Sequence, residues 1–146
     1  MKNYNDFRYK DDYTIIIGCG RVGANLANTL SNKGESVLIM DKTKDAFRRL
    51  SSNYGGLSIV GSGIEFNKLK EAQIDRATAF IAVTDDDNTN IMASQIAREV
   101  YNVKKVIARL HDPDCEAVYQ ELGIDTICPV ILSVKEIDKY LGIIPE

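Results

Sequence analysis

Short aliphatic runs, many of them β-branched, alternate along this chain with longer stretches whose apolar positions recur at helical spacing. YTIIIG (13–18) is apolar on both faces, the pattern of a strand buried between two layers. Over 21–33, Val22, Leu26, Ala27 and Leu30 fall at helical spacing, and Gly34 is placed to end the helix. The alternation continues through SVLIMD (36–41), a short helix near 45–52, LSIV (57–60), a helix over 65–72 and ATAFIAVT (77–84). A long helix follows, in which Met92, Ile96 and Val100 share a face with Ala93 and Ala97, and then the strand KKVIAR (104–109). Asp112 before Pro113 reads as an N-cap with proline at the first helical position, opening a helix to Leu122 that Gly123 stops. DTIC (125–128) is a short sixth strand, and Pro129 breaks the chain before a last apolar helix over about 130–141.

Strand–helix alternation with apolar strands implies a parallel sheet covered by helices on both faces. Right-handed crossovers then predict an α/β, doubly wound, mostly parallel, Rossmann-like sheet of six strands in the order 3-2-1-4-5-6. A polar extension over 1–12 precedes one domain over 13–146, with no linker, repeat or low-complexity stretch inside it.

Composition narrows the function. The 146 residues carry a formal net charge of -3, with Lys and Arg scattered, so no basic field draws in nucleic acid. No apolar run approaches the roughly 18–20 residues of a membrane span, and the polar N-terminus lacks a signal-peptide core. A cytosolic protein is expected, with no direct membrane insertion but free to dock on a membrane protein. Cys19, Cys115 and Cys128 form neither an even disulfide set nor a CxxC pair, and are read as reduced thiols. His111 is the only histidine, so a zinc centre or a Ser-His-Asp triad is poorly supplied and no metal site is assigned.

The sharpest motif is Gly18-Cys19-Gly20-Arg21-Val22-Gly23, a G-x-G-x-x-G between a strand and an amphipathic helix. Its first glycine permits a tight turn, its second a close approach to pyrophosphate, and its third close helix–strand packing. Phosphate would then meet the positive N-terminal end of the helix. Asp41 closes the second strand 18 residues after Gly23, where a carboxylate accepts hydrogen bonds from an adenosine ribose. A 2′-phosphate would be repelled there, which disfavours NADP, and the adjacent Lys42 only softens this. Arg21, inside the loop, is within reach of a terminal phosphate through a charge-assisted, bidentate contact.

From about Tyr13 to Val134 the sequence resembles the nucleotide-binding lobe of the RCK (or KTN) domains of Trk and Ktr potassium transport systems and potassium channels. The likeness rests on IIIGCGRVG (15–23), LIMDK (38–42), IVGSG (59–63), VTDDDNTN (83–90), ARLHDPD (108–114) and ELGIDTICP (121–129). It implies a cytosolic regulatory subunit, peripheral to the inner membrane through a membrane-embedded potassium transporter or channel. ATP, ADP, AMP or NAD(H) would bind it and shift its conformation. It places Ser62, Thr84 and Asp85 around the base, Gly61 also in the nucleotide site, and Arg109 near the nucleotide or a subunit contact. The family often reads G-D in the loop after the third strand, with the acid near the adenine; here Ser62 stands in that place.

Asp85, Asp86 and Asp87 could share a divalent cation with phosphates, but helix capping is the plainer account. The last helix carries Val130, Val134, Ile137 and Leu141 on one face, widened by Ile131, Leu132, Tyr140, Ile143 and Ile144. That surplus calls for a partner, and the resemblance implies a crossover helix in a homodimer or higher ring. The competing function, the cofactor domain of an NAD-dependent oxidoreductase, needs a substrate domain and a proton donor. The chain has no room for the first and offers only His111 for the second, so no catalytic residue is assigned.

Overall fold

Residues 12–143 are described by the structure, a computed structural model; most of the 1–12 extension and Ile144 of the apolar tail lie outside them. Six strands form one all-parallel sheet in the order β3-β2-β1-β4-β5-β6. They are β1 (Tyr13–Ile17), β2 (Ser36–Asp41), β3 (Leu57–Val60), β4 (Ala79–Ala82), β5 (Lys105–Arg109) and β6 (Asp125–Ile127). The helices are α1 (Arg21–Asn32), α2 (Phe66–Glu71), α3 (Asp87–Gln95), α4 (Glu116–Glu121) and α5 (Pro129–Leu141). The order reverses at β1 and β4, the place where open α/β sheets bind ligands beyond their carboxyl ends.

The period-two alternation of the strands sends their side chains into two cores. Ile15 and Ile17 join Leu38, Met40, Phe80, Leu69, Ile91 and Ala93 on one face. Ile16 turns to the other, with Val37, Ile39 and the small residues Ala24 and Ala27 of α1. Nearly every one of these side chains is fully buried, so the central strands must read as continuous apolar runs.

Four local features differ from the sequence pattern. The short helix expected near 45–52 is a 3-10 segment, Lys44–Arg49, because the turn-forming run Ser51–Gly56 leaves no length for an α-helix. The helix after β4 is α only through Gln95 and continues as a π turn, Ile96–Val100, with the Tyr101 N–H donating to the Ile96 carbonyl at 3.3 Å. Its buried face is made by Asn90, Ile91, Ala93, Ser94 and Ala97, while Met92 and Val100 point to solvent. Small residues let the helix lie close on the sheet, and larger ones are turned away. Pro129 opens α5 as its first residue rather than standing outside it, where its missing N–H costs nothing. No residue of α5 is buried: Val130, Leu132, Val134, Ile137, Tyr140 and Leu141 are all exposed. The apolar surplus is not absorbed by the domain itself. Among the described residues no helix is long and apolar enough to cross a membrane.

Candidate nucleotide site

A cleft of about 460 Å³ opens at the carboxyl ends of β1 to β4. Its floor is the glycine loop. Gly18 has φ +107°, and a Cβ there would lie 2.9 Å from the backbone of Val83 and Thr84 at the end of β4. A Cβ on Gly23 would lie 1.8 Å from the Gly18 carbonyl oxygen, so α1 packs against its own loop only with glycine here. Gly20 is different: a Cβ would meet nothing within 4 Å, and its open side is left for a ligand. Gly20 is also the residue that precedes α1 and has no side-chain cap, so amides of the first turn stay unpaired for an anion.

Asp41 ties this loop to β2. One carboxylate oxygen accepts from the Cys19 N–H at 2.7 Å and the other from the Thr43 N–H at 2.8 Å. Each oxygen keeps acceptor capacity toward the cleft, as a ribose diol requires. Cys19 is buried and its thiol donates to the Ala46 carbonyl at 3.4 Å. Burial pushes that thiol's pKa up, the Asp41 charge adds to this, and Arg49 opposes it. The thiolate is disfavoured, so Cys19 serves as packing rather than as a nucleophile.

The wall beyond β4 is a polar network in which the buried Nε of Arg109 is left without a partner among the described residues. Asn90 is fully buried; its amide oxygen accepts from the Thr84 N–H at 2.9 Å and hydroxyl at 2.7 Å. Its amide nitrogen donates to the carbonyls of Thr84 at 3.0 Å and Arg109 at 2.9 Å. The Arg109 guanidinium donates to the Val83 and Thr84 carbonyls at 2.9 and 3.0 Å and approaches Asp85 at 3.6 Å. Asp86 caps α3 through the Asn88 N–H and the Thr89 hydroxyl, and these bonds, the Thr89 hydroxyl first, hold its carboxyl below the usual range. Asp87 accepts from the backbone N–H groups of His111 and Asp112 and meets the His111 ring at 2.8 Å. Partial burial works against the charge on Asp87, but the His111 and Asp112 hydrogen bonds outweigh it and lower its pKa. Among the described residues no group of three or more acidic, histidine or cysteine side chains is placed to hold a metal ion.

Of the residues singled out from sequence, Gly18, Cys19, Gly20, Asp41, Lys42, Gly61, Ser62, Thr84 and Asp85 line the cleft together. Gly23 lies behind the loop as a packing residue, while Arg21 and Val22 are exposed at the start of α1, outside the cleft wall. Arg109 is turned onto β4 instead of into the cleft. Ser62 shapes a turn, its N–H donating to the Glu65 carboxylate at 2.8 Å. The lining also includes Gly63 and Thr89, which lie in IVGSG and VTDDDNTN, and Thr43, Asp45, Ala46 and Arg49, which no motif marks. Asn90 closes VTDDDNTN, so the segment was visible in the sequence although the role was not.

The TrkA-N domain profile matches residues 14–129, from the start of the sheet through β6. The chain is 45% identical over 118 residues to the Trk system potassium uptake protein TrkA of Streptomyces coelicolor, an alignment covering 81% of this chain and 53% of that protein. It is 35% identical over 115 residues to the TrkA homolog of Methanothermobacter thermautotrophicus, covering 79% and 53%. The chain thus spans about half the length of these curated relatives. The structure of GsuK bound to ADP shares the fold, with a TM-score of 0.75 and 23% identity over 90% of this chain and 34% of that one. The GsuK channel bound to NAD does so with a TM-score of 0.66 and 18% identity, over 81% and 21%. With its glycine loop, the acid ending β2 and the six-stranded order all within the matched span, this chain belongs to the TrkA-N domain family.

Proposed function

We propose that this domain binds an adenine nucleotide above β1 to β4 and reports its occupancy to a membrane-embedded potassium transporter or channel, as a cytosolic regulatory domain and not a catalyst. The observation that carries the reading is Asp41, whose carboxylate fastens the glycine loop beside the open face of Gly20. Phosphates would rest on the first turn of α1, with Arg21 exposed beside it for a terminal phosphate, and the ribose on Asp41. The cleft is walled by the ends of β1 to β4, and the Arg109–Asp85 pair occupies the β5 side. This favours AMP, ADP or ATP over NAD(H), whose second half would extend past that pair. The Asp41 charge disfavours NADP. Relatives named as potassium uptake proteins, and a channel with ADP or NAD bound, support the partner class. The oxidoreductase reading has less behind it, since His111 is held by Asp87 outside the cleft lining.

Control of a partner requires that the nucleotide bind one arrangement of the assembly better than another. Thr84 and Asp85 provide a route, since both touch the cleft and are bonded to Arg109 and so to β5. The reading is tested by calorimetric titration with AMP, ADP, ATP, NAD⁺ and NADH. Asp41→Ala should weaken the bound adenine nucleotides at least tenfold, because a charged acceptor is typically worth about 1.5–3 kcal/mol. Unchanged affinity removes the ribose assignment, and no binding by the unaltered chain removes the nucleotide reading.

The exposed face of α5 supports a homodimer or larger ring. Truncation before Val130 should convert the dimer to monomer, as read by sedimentation. A monomeric intact chain at micromolar concentration would sink that part of the proposal.

A further inference from the structure

The cleft has an anchor for phosphates at α1 and an acceptor for ribose at Asp41, but among the described residues that line it none is aromatic. A purine presents two flat faces, and protein sites commonly cover at least one with a planar group. Arg49 supplies one. It is the last residue of the 3-10 segment Lys44–Arg49, in which residues three apart eclipse one another. Ala46 is buried on the glycine-loop side, its carbonyl 3.4 Å from the Cys19 sulfur. Arg49 therefore leaves the same face one turn later and forms part of the cleft wall. Its neighbour Arg48 is already committed, pairing at 3.3 Å with Asp45, itself a cleft-lining residue. Arg49 makes no ion pair among the described residues.

We propose that Arg49 is the base-stacking residue of this site, laying its guanidinium flat against the purine of the bound nucleotide. The proposal rests on the nucleotide reading above and extends it to recognition of the base. A guanidinium suits the task because it is planar, delocalised and weakly hydrated, whereas an ammonium is a compact and strongly hydrated point charge. Stacking recognises the flat base, not the number of phosphates, and this separates it from an ordinary arginine–phosphate contact.

The test is a calorimetric comparison of AMP, ADP and ATP binding to the full chain and to Arg49→Ala, Arg49→Lys and Arg49→Tyr, at low and high salt. Arg49 is exposed, so thermal melts should show all three variants folded. Arg49→Ala should weaken all three nucleotides by the same factor, roughly tenfold, at both salt concentrations. Lysine should fail to restore binding and tyrosine should restore most of it, because a ring stacks and an ammonium does not. A loss that grows from AMP to ATP, or full rescue by lysine, would assign Arg49 to phosphate and overturn the proposal. Unchanged affinity in Arg49→Ala would show that it does not touch the ligand. If the unaltered chain binds none of the three, the nucleotide reading itself falls and takes this one with it. In that case the failure already shows in the control titration.

Discussion

Gly23→Ala is expected to destabilise the domain by about 3 kcal/mol or more and to abolish nucleotide binding, while Gly20→Ala leaves stability nearly unchanged and still weakens binding. The first effect follows from the 1.8 Å separation between a Cβ at Gly23 and the Gly18 carbonyl oxygen. That oxygen is backbone, and Gly18 is itself held by its N–H donating to the Met40 carbonyl at 2.8 Å. Neither side can yield without moving α1 off the sheet. Overpacking in well-packed interiors costs about 1–3 kcal/mol, and a backbone clash lies at or above the top of that range. A domain of ordinary stability, roughly 5–15 kcal/mol, would lose a large share of it. Gly20 has negative φ and open space around its missing side chain, so alanine should change stability by no more than about 0.5 kcal/mol. The added methyl would point where phosphate approaches, and affinity for AMP and ATP should fall tenfold or more. Urea melts and calorimetry on the two variants check both halves. A stable, nucleotide-binding Gly23→Ala protein would mean that α1 can shift without cost, contrary to the packing described.

Asn90→Ala should cost about 3 kcal/mol, far more than the loss of one buried polar side chain usually does. Four hydrogen bonds end on this amide, two accepted from Thr84 and two donated to the carbonyls of Thr84 and Arg109. Alanine would leave the Thr84 N–H and the Arg109 carbonyl without these partners at a fully buried position, each worth about 1–3 kcal/mol when unsatisfied. Asn90→Asp is expected to be worse at neutral pH, since a carboxylate would face two carbonyl oxygens. Burial beside them favours the protonated acid in the folded state, so the variant should gain stability as pH falls and lose it as pH rises. Both variants should also loosen Thr84 and Asp85 and weaken nucleotide binding. Urea melts across a pH series read the stability effects, and a cost below about 1 kcal/mol for alanine would show that water replaces the amide.

The same amide marks where reading from sequence stopped. VTDDDNTN was visibly a functional segment after β4, yet nothing in its spacing says that Asn90 reaches Arg109, 19 positions on. Arg109 stands at the carboxyl end of a strand, where ligands bind, but its guanidinium turns onto β4, 25 or 26 positions back. The capping role of Asp86 was legible, because an acid just before a helix has one obvious local use. Arg49 was not: in an α-helix, residues three apart are offset around the axis, whereas in the 3-10 segment they eclipse, so its direction hinged on a helix type that short polar sequences do not announce.

The sequence by itself determined the six strands, their order, the glycine loop and the acid ending β2. These depend on periodicity, on handed crossovers and on backbone freedom at single residues, all local or topological properties. The tertiary structure alone decided which charged side chains enter the cleft and which are spent on holding it together. Lys42 and Arg49 line it, Arg109 is bonded to the Val83 and Thr84 carbonyls just past β4, and Asp41 is shared between two backbone N–H groups and the open site. A charged group goes where unpaired polar partners lie within about 3 Å, and those partners come from segments that only folding brings together.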